Sequence, residues 1–408
     1  ALSHLRAGLA ALAGHPSLKD RPEVADLHFE RFYIRDRLGD IAGMAETIAE
    51  LQSLANRLGS PRAEAEASLV TAIFRMWQND LTGACEGALH AVKVSESAQE
   101  LTICCLAYRT LTSIGLRLGD HHFMRRYAKN ALAVTQRLGA PSMEIRSHVL
   151  LAWADFLAGA WDESRRVSIE AIALARRVGS TRDLVYSIAG NALLLSLQGN
   201  LPAAEARIAE AKAAFNSGTP ADRAVFGRIE IAETALTLEL GEGERALNIA
   251  KGFTRQSVTG TAERAPAGLT VAYEPIGLAL LAEAQVATGD LEGALKTASE
   301  LFELRGTGSQ YVTALSYRAE GLARQALGQR EVAIECLTKA NEIFSELEIP
   351  FEAARSLLDL GAAASDTKPE VAIRVVQESL TVFERLGARR HIERARRLLR
   401  SLGVSPPP

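Results

Sequence analysis

Several groups of residues in this sequence could do chemistry, and their spacing limits what each can do. His121 and His122 are adjacent, with no further metal ligand at a useful sequence spacing, so they read as part of a turn and no metal site is expected. Cys85, Cys104, Cys105 and Cys336 form no CxxC and fall within apolar helical patterns. They read as buried thiols of a reducing compartment rather than as disulfides or metal ligands. Arg125-Arg126 and Arg165-Arg166 stand 40 residues apart and would stack as a basic ladder beside His121, His122 and Lys129. That ladder is either an anionic or protein-docking surface, or a solvated outer helix face. Arg390, Arg394 and Arg397 share one face of an arginine-rich C-terminal helix, which caps the chain or docks on a neighbour. Without interleaved aromatic residues it lacks the make-up of a single-strand binder, and direct nucleic-acid binding is not expected. Neither GxxxxGKS nor GxxxxGKT occurs, and neither HExxH nor GxSxG is present. No catalytic constellation or cofactor is therefore expected, and any enzymatic activity would belong to segments outside this chain.

The chain has 408 residues, of which 48% are hydrophobic and 23% charged, so it has ample apolar material for a core. A net charge of −3 gives no global attraction to nucleic acid or membrane. No run approaches 18 uninterrupted apolar residues, and ALSHLRAGLAAL at the start lacks a basic leader and a cleavage site. A cytoplasmic location is expected. An opening on Ala1 reads as a piece of something longer.

The elements that must position these residues follow from a repeat. Gly39-Asp40, Asn79-Asp80, Gly119-Asp120, Gly159-Ala160 and Gly199-Asn200 recur at steps of 40, and Gly241, Gly289-Asp290, Gly328-Gln329 and a site near Thr367 continue the series. Each is a short turn, where glycine supplies a left-handed residue and Asp or Asn caps the next helix. Five residues past the turns stand Met44, Ala84, Met124, Ser164, Ala204, Ala246, Ala294, Ala333 and Ala372. Seven before them stand Ala72, Thr112, Ala152, Ala192, Thr234, Ala282 and Gly321. Small side chains on both helices let the pair approach closely. Gly59, Gly139, Gly179 and Gly387 close second helices whose last turns carry Arg57, Arg137, Arg177 and Arg385. Ser60-Pro61 and Ser180 to Asp183 are start signals for the helices that follow.

One helix pair cannot bury both its faces, so neighbours must stack into a solenoid. The expected fold is all-α, a right-handed superhelical solenoid of about nine helix–turn–helix repeats. The expected domains are an N-terminal half-repeat helix (1–20), repeats 1–6 (21–257), an inserted loop (258–271), repeats 7–9 (272–387) and a basic capping helix with tail (388–408).

This register resembles the tetratricopeptide repeat over nearly the whole chain. It departs from that family in its period of 40 rather than 34 and in lacking the usual proline at the end of the second helix. Two segments bring the likeness nearer to repeat domains of bacterial signal-transduction ATPases, both the LuxR-type activators, including the maltose-regulon activator, and ATPases linked to class III nucleotide cyclases. They are ALSHLRAGLAAL and the final stretch from Pro350 to Gly403. The resemblance implies a non-catalytic sensor or scaffold in signal transduction or transcription regulation, or a stand-alone protein–protein adaptor. It also implies a concave groove lined by the first helix of each pair, at positions 13, 10, 6 and 3 before each turn. On this register the candidate groove residues are Tyr33, Arg109, Arg146, Trp153, Phe156, Tyr186 and Arg228. Aromatic faces beside arginines suit a peptide with acidic groups or a sugar stacked on a ring, unless Trp153 and Phe156 merely pack between pairs. The partners implied are a protein or peptide, a small-molecule inducer, or other copies of the array; no membrane is implied.

Overall fold

A computed structural model describes residues 2–13, 15, 20–215, 223–258, 270–305 and 308–404. Helices account for nearly all of them, and no strand occurs among the described residues. A lone helix, α1 (Leu2–Ala13), precedes the repeats. The first three pairs are α2 (Pro22–Leu38) with α3 (Ile41–Leu58), α4 (Pro61–Trp77) with α5 (Leu81–Ser97), and α6 (Leu101–Leu118) with α7 (His121–Leu138). The next three are α8 (Pro141–Leu157) with α9 (Trp161–Val178), α10 (Thr181–Leu197) with α11 (Leu201–Phe215), and α12 (Arg223–Leu240) with α13 (Gly243–Val258). The last three are α14 (Thr270–Thr288) with α15 (Leu291–Glu303), α16 (Gln310–Ala326) with α17 (Arg330–Glu346), and α18 (Pro350–Ala364) with α19 (Pro369–Leu386). A terminal helix, α20 (Arg389–Ser401), follows. The loop expected at 258–271 lies outside the described residues from 259 to 269, as does the proline tail from 405 onward.

The helices begin and end where local chemistry directs. The Asp40, Asp80, Asp120 and Asp290 carboxylates accept hydrogen bonds from the backbone N–H of Gly43, Gly83, Phe123 and Gly293, satisfying donors that the helix itself leaves open. Ser180 caps α10 through Asp183, whereas the Ser60 hydroxyl makes no cap bond and Pro61 alone marks that helix start. The small positions do what their size allows: Met44, Ala84, Met124, Ala204, Ala246, Ala294, Ala333 and Ala372 are wholly buried, as are Ala72, Thr112, Ala192 and Ala282 on the facing helices. Each pair is thus locked at one crossing, and pairs stack in chain order into a helical-repeat solenoid. One apolar core joins α2 through α7, and a second runs from Leu116 to Leu399.

The solenoid also closes on itself. The turns inside repeats 3, 4 and 5 pack against the starts of helices five repeats further on. A Cβ on Gly119 would lie 2.6 Å from Tyr311 at the start of α16, one on Gly159 would lie 2.7 Å from Pro350 at the start of α18, and one on Gly199 would lie 3.1 Å from Arg389 at the start of α20. Arg117, 1% exposed, bridges the seam by donating to the Leu304 carbonyl at 2.9 Å and to Asn79 Oδ1 at 2.8 Å. The Ser309 hydroxyl donates to the Arg117 carbonyl, and Trp161 meets Phe351 with ring centroids 4.9 Å apart. One superhelical circuit therefore takes five repeats, and the first helices of the middle and late repeats face one another across a shared interior.

Candidate functional site

Successive first helices bring the interior residues together. Arg228 on α12 lies between two tyrosines, with its guanidinium carbon 3.7 Å from the Tyr186 ring centre on α10 and 3.8 Å from that of Tyr273 on α14. Arg228 is 6% exposed, and none of its three guanidinium nitrogens has a hydrogen-bond partner. The Tyr186 and Tyr273 hydroxyls are likewise buried, and the Tyr273 hydroxyl lies close enough to both Tyr186 and Arg228 to feel each of them. Burial pushes the Tyr273 hydroxyl well above the ordinary phenol range, so it stays neutral and able to donate. Two ring faces offset part of the cost of burying a cation, but they satisfy none of its five N–H groups.

Positive charge accumulates alongside. Arg109 on α6 is pushed below the ordinary guanidinium range by burial and then by the charge of Arg146 on α8, and it also feels Tyr186. Arg146 donates to Asp183 at 2.9 Å, and this salt bridge is the only carboxylate contact found for the three interior arginines among the described residues. Three cations against one carboxylate leave this wall electropositive.

The adjoining side is both apolar and charged. Trp153 meets Tyr273 and Phe156 edge-on, with centroids 5.1 Å and 5.4 Å away. Trp153, Phe156 and Tyr311 then form the aromatic side of a small pocket, with Glu239, Glu283, Glu352 and Arg355 on its polar side. Burial alone would raise the Glu283 carboxyl, but Arg318 and Arg355 hold it at about 2. Arg318 reaches Glu283 at 2.8 Å and Asp359 at 2.8 Å, closing a network between α14, α16 and α18. Glu239 lies 3.7 Å from His391 and 4.0 Å from Arg390; burial raises its carboxyl to about 7, against the opposing pull of Arg355 and Arg394. That carboxyl is the one acid in the pocket free to change protonation near neutral pH.

Of the groove residues expected from the sequence, Trp153 and Phe156 line the pocket; Arg228 stacks on Tyr186 beside Tyr273, which meets Trp153, and Arg109 and Arg146 lie near one another on α6 and α8. Tyr33 stands apart, packed edge-on against Phe29 and Phe32. Sequence reasoning missed Tyr273, Glu239, Glu283 and Arg355. Glu283 occupies the position six before its turn, so its row could have found it.

Most of the arginines of the expected basic surfaces have acids beside them. Arg125 pairs with Asp155, Arg165 with Asp162 at 2.8 Å, and Arg166 with Glu163 and Glu170 at 2.5 Å each, while Arg126 lies 5.7 Å from the Tyr127 ring centre. Arg390 and Arg394 turn toward Glu239 and Asp359, at 4.0 and 3.7 Å, and Arg397 lines a shallow cleft between α18 and α20. The ladder is a set of local ion pairs, worth little each at the surface. Cys104, Cys105 and Cys336 are buried and Cys85 half-buried, all as free thiols. No helix among the described residues is long and apolar enough to cross a membrane.

No protein-family model matches the sequence, and comparison with curated proteins gave no significant match. Among solved structures, a Rap protein complexed with competence and sporulation factor is similar to this chain over 90% of its length and 87% of the other's, with a TM-score of 0.46 and 12% identity. The functional reading rests on the geometry of the interior.

Proposed function

We propose that this chain is the non-catalytic sensor and scaffold domain of a bacterial signalling or transcription-regulating ATPase, and that its closed interior takes a ligand bearing an anionic group. The ligand is an acidic peptide segment of a regulatory protein or a small acidic inducer. Arg228 carries this reading: a buried guanidinium that meets two tyrosines but no carboxylate among the described residues is costly unless a ligand carboxylate or phosphate pairs with it, and the flanking tyrosine hydroxyls are donors for the same group. The aromatic side of the pocket supports an apolar or ring-bearing remainder of the ligand. In the ATPase setting, occupancy would shift the array between more and less closed states across the seam at Gly119, Gly159 and Gly199.

The same interior would serve a stand-alone adaptor equally well, and two observations separate the readings. A nucleotide-binding P-loop module encoded before Ala1 supports the ATPase setting, and an initiator codon directly before Ala1 removes it. A thermal-shift screen of acidic metabolites and acidic peptides distinguishes the ligand class, because a ligand that binds only the folded state raises the melting temperature with concentration. Stabilisation by metabolites favours a sensor. Stabilisation by peptides alone favours an adaptor, and stabilisation by neither class overturns the proposal.

A further inference from the structure

The closure of the array assembles a cluster that no local stretch of sequence contains. His121 and His122 open α7, and their rings lie close, with centroids 4.2 Å apart. The turn between α17 and α18, 226 residues further on, brings Glu348 to them, with His122 Nε2 2.8 Å from Glu348 Oε2. One ligand atom from each of the three residues lies within 4.8 Å of the others. His121 is 6% exposed, its ring feels a hydrogen bond to the Glu348 backbone, and its Nε2 is buried without a hydrogen-bond partner, so the fold holds a buried imidazole with one unsatisfied nitrogen against Glu348. His122 and Glu348 face solvent, leaving room for a water in a fourth position.

We propose that His121, His122 and Glu348 form a binding site for one zinc-class divalent transition-metal ion, which clasps repeat 3 to the turn before repeat 9. Two imidazoles, one carboxylate and an open position make up a three-ligand zinc donor set, with too few oxygens for calcium or magnesium. Tetrahedral bonds to such an ion would hold the donor atoms about 3.3 Å apart, so the His122–Glu348 pair needs to open only slightly. The sequence alone gave two adjacent histidines without a third ligand. Closure at a spacing of five repeats supplies the third, so the ion would report and reinforce the closed form.

Glu348 also provides a clean variant. It occupies a left-handed conformation (φ 55°) at a turn where other repeats carry glycine, so Glu348→Gly suits the backbone while removing the ligand. The test is titration of Zn²⁺ and Co²⁺ into the full chain, free of any histidine tag, after chelator treatment. Calorimetry, Co²⁺ visible absorption and melting temperature are read on wild type, His122→Ala and Glu348→Gly. Expected are one ion per chain, a higher melting temperature, a cobalt spectrum without thiolate charge transfer, and affinity at least tenfold weaker in both variants. In chelator, Glu348→Gly should melt no lower than wild type, which separates loss of the site from loss of the fold. Equal affinity in wild type and variants, thiolate bands in the cobalt spectrum, or no binding at all would overturn the proposal.

Discussion

Gly159 and Gly139 both adopt left-handed backbone, with φ of 73° and 61°, yet they face different surroundings. An alanine at either position incurs the strain of an L-residue there, about 1 kcal/mol. At Gly139 the new Cβ meets nothing within 4 Å. At Gly159 it would lie 2.7 Å from Pro350 Cγ and 3.2 Å from Leu386 Cδ2, both brought there by closure of the array. Overpacking of that kind adds about 1–3 kcal/mol, because the ring of Pro350 is rigid and seated at the first turn of α18. Gly139→Ala should therefore destabilise by about 1 kcal/mol and Gly159→Ala by about 2–4 kcal/mol. Urea unfolding followed by circular dichroism measures both. Pro350→Ala removes the clashing carbons, so in a double-mutant cycle it should recover about 1–2 kcal/mol of the Gly159→Ala loss. Equal destabilisation by the two glycine substitutions, with no coupling to Pro350, would refute the seam.

Two further outcomes follow from the interior charges. The Glu239 carboxyl is raised to about 7 in the folded state, so its favourable contribution is complete below about pH 4.5 and is lost as pH rises through 7. Glu239→Gln should remove a pH-dependent penalty on the order of 3 kcal/mol and leave the variant more stable than wild type at pH 8, as pH-dependent urea midpoints would show; a residual slope belongs to Glu66, which burial raises to about 8. Glu283 has the opposite sign: held at about 2, it stabilises above about pH 4.5 and loses that contribution as pH falls toward 2. Glu283→Gln removes the carboxylate that Arg318 and Arg355 share, leaving Arg318 with Asp359 and Arg355 with Glu352, and should cost on the order of 3 kcal/mol at pH 7, with a smaller cost at pH 3; a pH-independent cost would contradict the pairing.

The repeat was legible because it is written locally. A small residue five positions past each turn and another seven before it fix the helix crossing, and these positions are buried along the whole array. Turn glycines and capping aspartates add boundaries that any single repeat reveals. Closure was not legible, because superhelical pitch sums small rotations over five repeats, and nothing near Gly159 foretells that its turn is packed while that at Gly241, in the same series, is open. The interior site was legible in part. Arg228 and Tyr186 stand 13 before their turns, which places them on the inner face, but the lack of an acid opposite Arg228 is a property of the packed whole. Tyr273 stands 16 before Gly289, one helical turn beyond the rows used, just after the irregular stretch that interrupts the register. For the arginine ladder the sequence left two alternatives open, and acids three or four residues away, with Asp155 across the repeat, pair with Arg125, Arg165 and Arg166.

The interior anion site can be tested with one substitution. Arg228→Met keeps an unbranched apolar stem and removes a buried charge that has no carboxylate partner among the described residues, so the ligand-free variant should melt at or above the wild-type temperature. Calorimetric titration of an acidic ligand found in the screen should then show binding to wild type and a loss of at least a hundredfold in affinity for Arg228→Met. Unchanged affinity in Arg228→Met, in a variant that folds as well as wild type, would contradict the assignment of the interior as the anion-binding site.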